Sequence, residues 1–522
     1  MINPRFIKKF LKRPTNSFDW IKSCGDAQLQ TAFAELNPKP DFGEVKLWRH
    51  QKACFLLLEE LQRFMLHIGM GGGKTLLTLL LLKYRKQRGE KPKAIVFVPY
   101  ITSILTWVEE VEKHAPDLVA VPLCGSARSN HDLLHGGVGD LFIMCYQSGV
   151  AMLSIHQRKK WKLRAADVRS HFADFDMLVM DEIHKCKSVT SMTYRMCRAI
   201  SAQSDWVLGL TGTPFSRDLT DLWPQFYLID FGETLGETLS FYREVFFERK
   251  EGFFTRYNFR FRKKLLPALH TMIKHSSIHY DIKEFSDMPQ KRLIPLKLSL
   301  PEDYRGYCEA AIRNINNAAK RKQAGDYAEV ESNFMKLRQL ASGFMTLKGQ
   351  DDDKVQIKFF DNPKLDKLEE LVDAMPLGHK MVVFHHYVYT SQMISERLTK
   401  LGVGHARVWG GQKNPIGELK RFKNSKKCQV LVLNYKSGSS SLNLQHANYM
   451  MMFELPDTAI DWQQAISRVW RPGQANRVFI YVPLMTDTAD KRLYHANRHG
   501  EDLLRKLLTG ENLWPSLRVK VK

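Results

Sequence analysis

The sequence lacks the features typical of membrane proteins, of secreted proteins and of small domains stabilised by zinc. Its eight cysteines include no Cys-x-x-Cys pair, so neither a zinc site nor a disulfide framework is indicated. The apolar run at residues 76–82 is far too short to span a bilayer. The chain start lacks the apolar core of a signal peptide. We therefore expect a protein of a reducing, intracellular compartment with no membrane partner.

Acidic residues are also scarce relative to basic ones. The 55 Asp and Glu residues face 78 Lys and Arg residues, which gives a formal net charge of +23. A charge of this size favours binding to a polyanion through counterion release. The first 18 residues contain no acid. For these 18 residues we favour a mobile basic arm, with an organelle transit peptide as the alternative. We interpret residues 1–45 as a basic N-terminal segment and residues 511–522 as a basic tail.

Solenoid repeats are missing too, but two stretches alternate short apolar strands with amphipathic helical patterns. This alternation predicts α/β domains with parallel sheets. We place the first lobe at residues 46–232, the second at 363–510, and a mostly helical region at 233–362 between them. The predicted strands are 64–68, 94–98, 141–145, 177–180 and 207–210 in the first lobe, and 381–384, 406–409, 430–433, 449–453 and 478–481 in the second.

A glycine-rich stretch follows the first predicted strand and precedes a helical pattern, the context of a phosphate-binding loop. Its glycines would let backbone N–H groups converge on phosphate oxygens, at the positive end of the following helix. Lys74 would neutralise the β and γ phosphates, and the Thr75 hydroxyl would ligate magnesium. The strict phosphate-loop pattern has glycine where this sequence has Ile68. The position of the stretch between a strand and a helix therefore supports the interpretation more strongly than the match to the pattern. The loop residues are Gly69, Met70, Gly71, Gly72, Gly73, Lys74 and Thr75.

Two further charged pairs suit the same chemistry. Asp181 and Glu182 end a predicted strand, where Asp181 can hold magnesium and Glu182 can take a proton from the attacking water. A surface acidic pair is the alternative, which the upstream phosphate loop disfavours. Arg468 and Arg471 would share a helix face if their helix continues, and could clamp a γ-phosphate from the second lobe. Arginines at this spacing are usually surface residues, and only the rest of the pattern favours the clamp.

In their order, these motifs resemble those of the Swi/Snf-type ATPases, the DNA-translocating branch of superfamily two helicases. The resemblance covers residues 47–506 and implies two RecA-like P-loop lobes in tandem. It is closest to minimal motors of viral, bacterial or fork-remodelling type. Residues 439–441 are serines where motif V of the family is rich in glycine. The matching segments are 47–51 (Q motif), 69–75 (I), 98–107 (Ia), 181–188 (II), 210–214 (III), 380–386 (IV), 437–444 (V) and 464–474 (VI).

The resemblance implies a role for each matching residue, with ATP and Mg²⁺ as cofactors. Glu182, Lys74, Arg468 and Arg471 would be catalytic, and Thr75 and Asp181 would hold the metal. Gln51 would read adenine, and Asn443 would also contact ATP. The coupling residues would be His184, Thr211, Gly212, Thr213 and Gln464. The DNA contacts would be Thr102, Ser103, Lys187, His385, Lys436 and Ser437.

The expected function is ATP-dependent translocation along double-stranded or branched DNA, in repair, recombination or replication. A strand-separating or RNA-stimulated helicase and an ATP-gated nucleic-acid-binding scaffold are the alternatives. The expected location is the cytoplasm of a bacterium or an infected host cell, with nucleus and organelles left open.

Several basic runs could serve as additional contacts. Residues 257–264 interleave aromatics with cations, which could grip nucleic acid or form a brace packed on the core, two readings of equal weight. Residues 157–164 and 419–427 are basic runs of the kind that usually form solvated faces.

Overall fold

The computed structural model describes residues 10–11, 17–157, 160–212, 218–250, 258–321, 326–348, 354–409, 412, 414–436 and 442–509. The predicted basic tail, most of residues 1–16, the coupling candidate Thr213 and the DNA candidate Ser437 lie outside these residues. Within them, no helix combines the length and the apolar character needed to cross a membrane.

The elements of the first part of the chain alternate between strands and helices. The strands are β1 Arg63–Ile68, β2 Ala94–Val98, β3 Ala120–Leu123, β4 Leu141–Cys145, β5 Ile155–Gln157, β6 Lys160–Lys162, β7 Met177–Asp181, β8 Trp206–Thr211, β9 Phe247–Lys250, β10 Asn258–Phe261 and β11 Ser277–Tyr280. The helices are α1 Asp26–Glu35, α2 Arg49–Glu60, α3 Lys74–Gln87, α4 Ile101–His114, α5 Ala127–Gly136, α6 Tyr146–Leu153, α7 Ala165–His171, α8 Met192–Ser201, α9 Leu222–Asp230, α10 Leu239–Phe246 and α11 Leu266–Ile273. Short 3₁₀ turns span Asp19–Ser23, Ile183–Cys186, Leu219–Asp221, Lys263–Leu265 and Ile282–Glu284.

The second part of the chain repeats the alternation. Its strands are β12 Lys291–Leu298, β13 Phe344–Lys348, β14 Lys354–Lys358, β15 Met381–His385, β16 His405–Val408, β17 Val430–Asn434, β18 Tyr449–Met452 and β19 Val478–Met485. Its helices are α12 Glu302–Arg321, α13 Asp326–Ala341, α14 Pro363–Asp373, α15 Val388–Lys400, α16 Pro415–Asn424, α17 Ala459–Val469 and α18 Asp490–Thr509.

Each lobe is built on one parallel sheet. The first sheet has the order β11-β1-β8-β7-β2-β4-β3, and the second has the order β12-β19-β18-β15-β17-β16. Separate clusters of buried apolar side chains cover the two faces of each sheet. Parallel strands buried on both faces read as continuous apolar runs, which is why the ten predicted strands match observed ones. The predicted α/β class, with two sheets in tandem, is confirmed.

Two strands from the region between the predicted lobes complete these sheets. β11 pairs with β1 at the edge of the first sheet, and β12 pairs with β19 at the edge of the second. β12 contains exposed and half-buried residues but no buried one, and it includes Pro295, which an edge strand tolerates. Its weak apolar signal explains why the sequence pattern predicts mostly helix here. The long helices α12 and α13 supply that helical content.

The aromatic and basic segment at residues 257–264 is described from residue 258 onward. Phe259 and Phe261 pack against the core of the first lobe. The Arg262 guanidinium donates to the backbone carbonyls of Glu244 and Val245, at 3.0 and 2.7 Å. These contacts favour the packed brace over the nucleic-acid grip. The basic run at 157–164 includes β6, whose Trp161 is exposed, and the run at 419–427 includes the end of α16.

Candidate active site

The strand order brings the separate motifs of the first lobe to one edge of its sheet. β8 lies between β1 and β7. The glycine-rich loop follows β1, Thr211 ends β8 and Asp181 ends β7. Because parallel strands place their carboxyl ends on the same side, these residues meet at that edge, the usual ligand side of an open α/β sheet.

The glycine-rich loop needs its glycines for two different reasons. Gly71 and Gly73 have φ angles of 81° and 89°, in the left-handed region that favours glycine. A Cβ on Gly73 would lie 2.4 Å from the Gln51 Nε2, and one on Gly72 would lie 2.3 Å from the Ile68 Cγ2. The Lys74 ammonium donates to the Ile68 carbonyl at 2.8 Å, so the loop folds back over the end of β1.

Helix α2 holds the glycine-rich loop through two neighbouring side chains. Gln51 accepts the Trp48 N–H at 2.9 Å and donates to the Gly72 carbonyl at 3.3 Å. A His50 ring nitrogen lies 2.8 Å from the same carbonyl, and Phe285 stacks on the His50 ring. The predicted adenine reader Gln51 therefore also positions the loop.

A cleft of about 970 Å³ lies over the loop. Its polar floor offers a hydroxyl, an ammonium and two carboxylates, and a guanidinium of the second lobe faces them. A hydroxyl and a carboxylate beside a phosphate-binding loop are the oxygen ligands that Mg²⁺ uses with nucleotides, so Thr75 and Asp181 fit that metal. The predicted residues that line the cleft are Gln51, Met70, Gly71, Gly73, Lys74, Thr75, Ser103, Asp181, Glu182 and Arg471.

The two carboxylates of the cleft differ in proton affinity. Burial raises the pKa of Asp181 to about 6 and the Glu182 charge adds to this effect, while the Trp107 indole N–H opposes it. Burial alone would also raise the pKa of Glu182. Contacts with His184, Lys74 and Thr211 outweigh burial, so the Glu182 pKa lies below its usual value. Glu182 is therefore ionised at neutral pH, as a general base must be.

Glu182 is held in place by strained backbone and by two side chains. Its φ of 53° lies in the left-handed region, which costs a residue with a side chain about 1–2 kcal/mol. The Thr211 hydroxyl donates to the Glu182 Oε2 at 3.1 Å, and the His184 Nδ1 lies 3.1 Å from the same oxygen. A strained backbone conformation persists only where surrounding contacts hold it in place, and such residues are common at functional sites. The predicted coupling residues Thr211 and His184 thus contact the predicted base directly.

The two arginines of the second lobe do not share a helix face. Helix α17 ends at Val469, because Trp470 adopts an extended conformation and Pro472 follows soon after. Arg471 lies beyond the helix and lines the cleft. Arg468 stays in the helix, is only 3% exposed, and its Nη2 lies 3.5 Å from the Tyr435 carbonyl. The helix does not continue, so the condition for a shared helix face is not met, and of these two arginines Arg471 alone lines the cleft.

The lobes touch each other at the glycine-rich loop. The Ser467 hydroxyl donates to the Met70 sulfur at 2.7 Å. A Cβ on Gly71 would come within 2.9 Å of the Pro472 Cδ. The turn that carries Arg471 therefore packs directly on the loop that would hold phosphates.

The remaining predicted residues have varied positions. Gly212 lies over the end of β1, with its notional Cβ 3.4 Å from the Ile68 carbonyl. Gln464 is buried in α17. Asn443 is exposed, accepts the Gln445 N–H, and does not line the cleft. Asn443 therefore has no contact in the cleft that would support its predicted role in ATP binding.

Two of the predicted DNA contacts are buried. His385 is 0% exposed at the end of β15, where burial lowers its pKa to about 4. Ser103 is 2% exposed and lies at the wall of the nucleotide cleft. Burial of these two side chains opposes a direct contact with a phosphate of an outside strand, and both assignments stay predictions. Thr102 is half-buried, whereas Lys187 and Lys436 are exposed.

The sequence patterns missed several contacts that shape the site. The Trp107 indole donates to the Asp181 Oδ2 at 3.1 Å, and the Tyr146 hydroxyl donates to the Asp181 backbone carbonyl at 3.0 Å. His50 and Phe285 support the loop, as described above. Trp107 ends the motif Ia segment, so its place in the motif was a usable signal. Nothing local marks Tyr146 or Phe285.

Comparisons with known proteins agree with this arrangement. Residues 50–343 match the family described as SNF2-related domain, and residues 363–473 match the helicase conserved C-terminal domain. The chain is 24% identical over 479 residues to protein p41 of Acyrthosiphon pisum secondary endosymbiont phage 1, covering 86% of this chain and 95% of p41. It is 22% identical over 455 residues to the uncharacterised ATP-dependent helicase MG018 of Mycoplasma genitalium.

The coverage of these relatives is uneven. The match to the mycoplasma helicase covers 86% of this chain but only 40% of that protein. The solved Sulfolobus solfataricus SWI2/SNF2 ATPase core in complex with double-stranded DNA is 19% identical, with a TM-score of 0.39, covering 90% of this chain and 94% of that one. The SNF2-related match alone spans more than half of the 522 residues. The chain therefore belongs to the SNF2-related family, with a helicase conserved C-terminal domain in its second lobe.

Proposed function

We propose that this protein hydrolyses Mg-ATP and uses the cycle of binding and hydrolysis to move along double-stranded DNA. The observation that carries the proposal is the contact between lobes, where Pro472 packs on Gly71 and Arg471 lines the cleft above Lys74. A nucleotide in the cleft would touch both lobes at once. Any change in its γ-phosphate would then change how strongly the lobes attract each other.

Nucleotide binding is assigned to the glycine-rich loop. Its backbone N–H groups and Lys74 would hold the phosphates, while Gln51 and His50 keep the loop in shape. Burial lowers the pKa of Lys74, against the opposing effect of the carboxylates Glu182 and Asp181. A bound phosphate would favour the charged ammonium. Thr75 and Asp181 would hold Mg²⁺, which supplies charge neutralisation at the phosphates when bound.

Hydrolysis is assigned to Glu182 as general base. The Thr211 hydroxyl and the His184 ring lie at one carboxylate oxygen, which fixes the direction of the group. Thr211 is the last residue of β8, the strand between β1 and β7, and it is hydrogen-bonded to Glu182. A movement of Glu182 would therefore move Thr211 and the loop that follows β8. Arg471 would stabilise charge on the γ-phosphate from the opposite lobe.

Duplex DNA is the proposed track. The net charge of +23 favours binding to a polyanion. The exposed cations Lys187 and Lys436 lie one on each lobe, and Thr102 lies in the first turn of α4 beside the cleft. Contacts to phosphates by such side chains position a protein without reading sequence, as a translocase requires. Double-stranded and branched DNA are therefore the proposed substrates, and repair, recombination or replication the proposed processes.

The test is steady-state ATP hydrolysis without nucleic acid and with single-stranded, duplex and forked DNA and RNA, paired with displacement of a third strand from duplex DNA. We expect duplex or forked DNA to stimulate hydrolysis and third-strand displacement to require ATP. Glu182→Gln should lower kcat by about 10²-fold or more. Glu59→Gln should not, because the Glu59 carboxylate pairs with Arg88 and does not line the cleft.

Other outcomes of this assay would replace the proposal. Stimulation only by RNA or single strands, with strand separation, would indicate an unwinding helicase. Nucleotide binding without turnover would indicate an ATP-gated scaffold. Full hydrolysis by Glu182→Gln would remove that residue as the base.

A further inference from the structure

A cluster of three histidines lies on the first lobe, apart from the nucleotide cleft. His131 and His135 are four residues apart on α5, so they share one face of that helix. His171 is the last residue of α7. The ring centroids are 4.5, 5.2 and 5.1 Å apart. The structure thus brings together three imidazoles from two helices that are well separated in sequence.

The spacing of the ring nitrogens suits one metal ion. One nitrogen from each histidine can be chosen so that all three lie within 4.8 Å of one another. Ligand nitrogens about 2.0–2.1 Å from a tetrahedral zinc ion are separated by about 3.3 Å. The His135 Nε2 and the His171 Nδ1 are 2.9 Å apart, and small side-chain rotations would open this pair to the required distance.

The backbone around the cluster is fixed by packing. Leu134 of α5 and Val168 of α7 are buried in the core of the first lobe. Leu134 precedes His135 in the chain, and Val168 lies one helical turn before His171. Phe172, which follows His171 directly, is 0% exposed. At the start of α5, Asn130 exchanges hydrogen bonds with the backbone of Gly125. The three histidines therefore project from rigid elements, which a preorganised metal site needs.

A carboxylate lies beside the cluster. The Asp132 Oδ1 lies 3.6 Å from the His131 Nδ1. Carboxylates commonly hold the second nitrogen of a metal-binding histidine and orient the ring. At 3.6 Å the two groups are not hydrogen-bonded, and a small rotation of Asp132 would bring them together and leave the His131 Nε2 for the metal.

We propose that His131, His135 and His171 bind one divalent transition-metal ion, zinc in the first instance, and that the ion fastens α5 to α7. Imidazole nitrogens select zinc, copper or nickel over magnesium and calcium, which prefer oxygen. Three protein ligands leave the fourth position of a tetrahedral zinc ion for water. Since the ion binds the folded arrangement, it stabilises the first lobe by mass action.

The site is separate from the proposed motor chemistry. α5 ends just before β4 and α7 just before β7, so the cluster lies toward the amino ends of these parallel strands. The nucleotide loop follows the carboxyl end of β1, at the opposite edge of the sheet. Loss of the metal should therefore leave basal ATP hydrolysis unchanged, and the metal test stands independently of the proposed function.

The experiment is calorimetric titration of the full chain, first stripped with a chelator, with a zinc salt and no nucleotide. We expect one zinc ion per chain, with affinity lowered by about tenfold or more in His131→Ala, His135→Ala and His171→Ala. His495→Ala removes an exposed histidine of the second lobe and should bind zinc as the natural protein does. Zinc should also raise the Tm of the natural protein and of His495→Ala, but not of the three cluster variants.

The folding control is the Tm of each variant with chelator present, which should stay close to that of the natural protein because the histidines lie outside the core. No zinc binding by the natural protein would overturn the proposal. Equal binding by His135→Ala would also overturn it, because the ion would then sit on other histidines among the 18 in the chain.

Discussion

Single residues of the cleft divide the chemistry between two neighbouring carboxylates. Burial acts to raise the pKa of both Asp181 and Glu182, yet the pKa of Asp181 lies above its usual value and that of Glu182 below. The difference comes from their partners, since Glu182 contacts Thr211 and His184. The contacts of Asp181, of which the Trp107 indole N–H is the strongest, do not outweigh its burial and the negative charge of Glu182. Neighbouring carboxylates separated in this way are typical of sites where one group holds a metal and the other moves a proton.

The raised pKa of Asp181 predicts a pH dependence of metal binding. Only the carboxylate form can bind Mg²⁺, and that form is lost as the pH falls through about 6. The apparent Mg²⁺ affinity in the presence of ATP should therefore fall between pH 7 and pH 5.5. Trp107→Phe removes a hydrogen bond that favours the carboxylate, so the fall should begin at higher pH. Measurement of the Mg²⁺ requirement of ATP hydrolysis across this range tests both statements, and a variant profile unchanged from that of the natural protein would contradict the second.

The two arginines after motif VI predict two different defects. Arg471→Ala should lower kcat by about 10³-fold with little loss of stability, because its side chain lines the cleft. Arg468→Ala should lower the free energy of unfolding by about 2–4 kcal/mol, because it removes a buried side chain beside Phe384 and Tyr435. Urea unfolding and ATP hydrolysis of both variants separate these effects. The assignment fails if Arg471→Ala is destabilised and Arg468→Ala is not.

At the scale of elements, the glycine-rich loop is where the two lobes make contact. Gly71 needs its positive φ for the turn and its missing side chain for the approach of Pro472. The chain offers a control that separates these needs. Gly89 has a φ of 82°, almost the same as that of Gly71, but a Cβ there would meet nothing within 4 Å.

Gly71→Ala and Gly89→Ala should therefore share one defect and differ in another. Each should lower the free energy of unfolding by about 1–2 kcal/mol through backbone strain. Only Gly71→Ala should impair ATP hydrolysis, because its methyl group pushes on the turn that carries Arg471. Equal ATP hydrolysis by both variants would show that closure at Pro472 is not needed for turnover.

The strands illustrate how far local sequence patterns reach. Strands buried on both faces, such as β2 and β17, consist of apolar residues except for Asn434 at the end of β17, and both were predicted within a residue or two. β11 and β12 were not predicted, because edge strands carry mixed sequences and owe their pairing to a partner strand distant in sequence. Whether α17 continues to Arg471 was left open by the sequence pattern, because Trp470 leaves the helical conformation through a contact distant in the chain, in which its indole donates to the Pro289 carbonyl.

For the whole molecule, charge is the property that bears on the proposed track. An excess of 23 positive charges predicts DNA affinity that depends strongly on salt. With six to ten phosphate contacts, affinity should fall by roughly 10³-fold or more between 50 and 200 mM salt. Fluorescence anisotropy of a labelled duplex measures this slope, with nucleotide binding in the absence of DNA as the less salt-sensitive comparison. A shallow slope would mean that few phosphates are contacted.

The sequence alone determined the fold class, the phosphate loop and the acidic pair. These features depend on residues adjacent in the chain, in which a buried strand, a glycine turn and a helix follow one another. Only the tertiary structure decided which distant side chains reach the cleft, such as Arg471 rather than Arg468, and which are buried, such as His385. It alone brought His171 to His131 and His135. The physical reason is that burial and contact between distant residues depend on how helices and sheets pack, which no local pattern encodes.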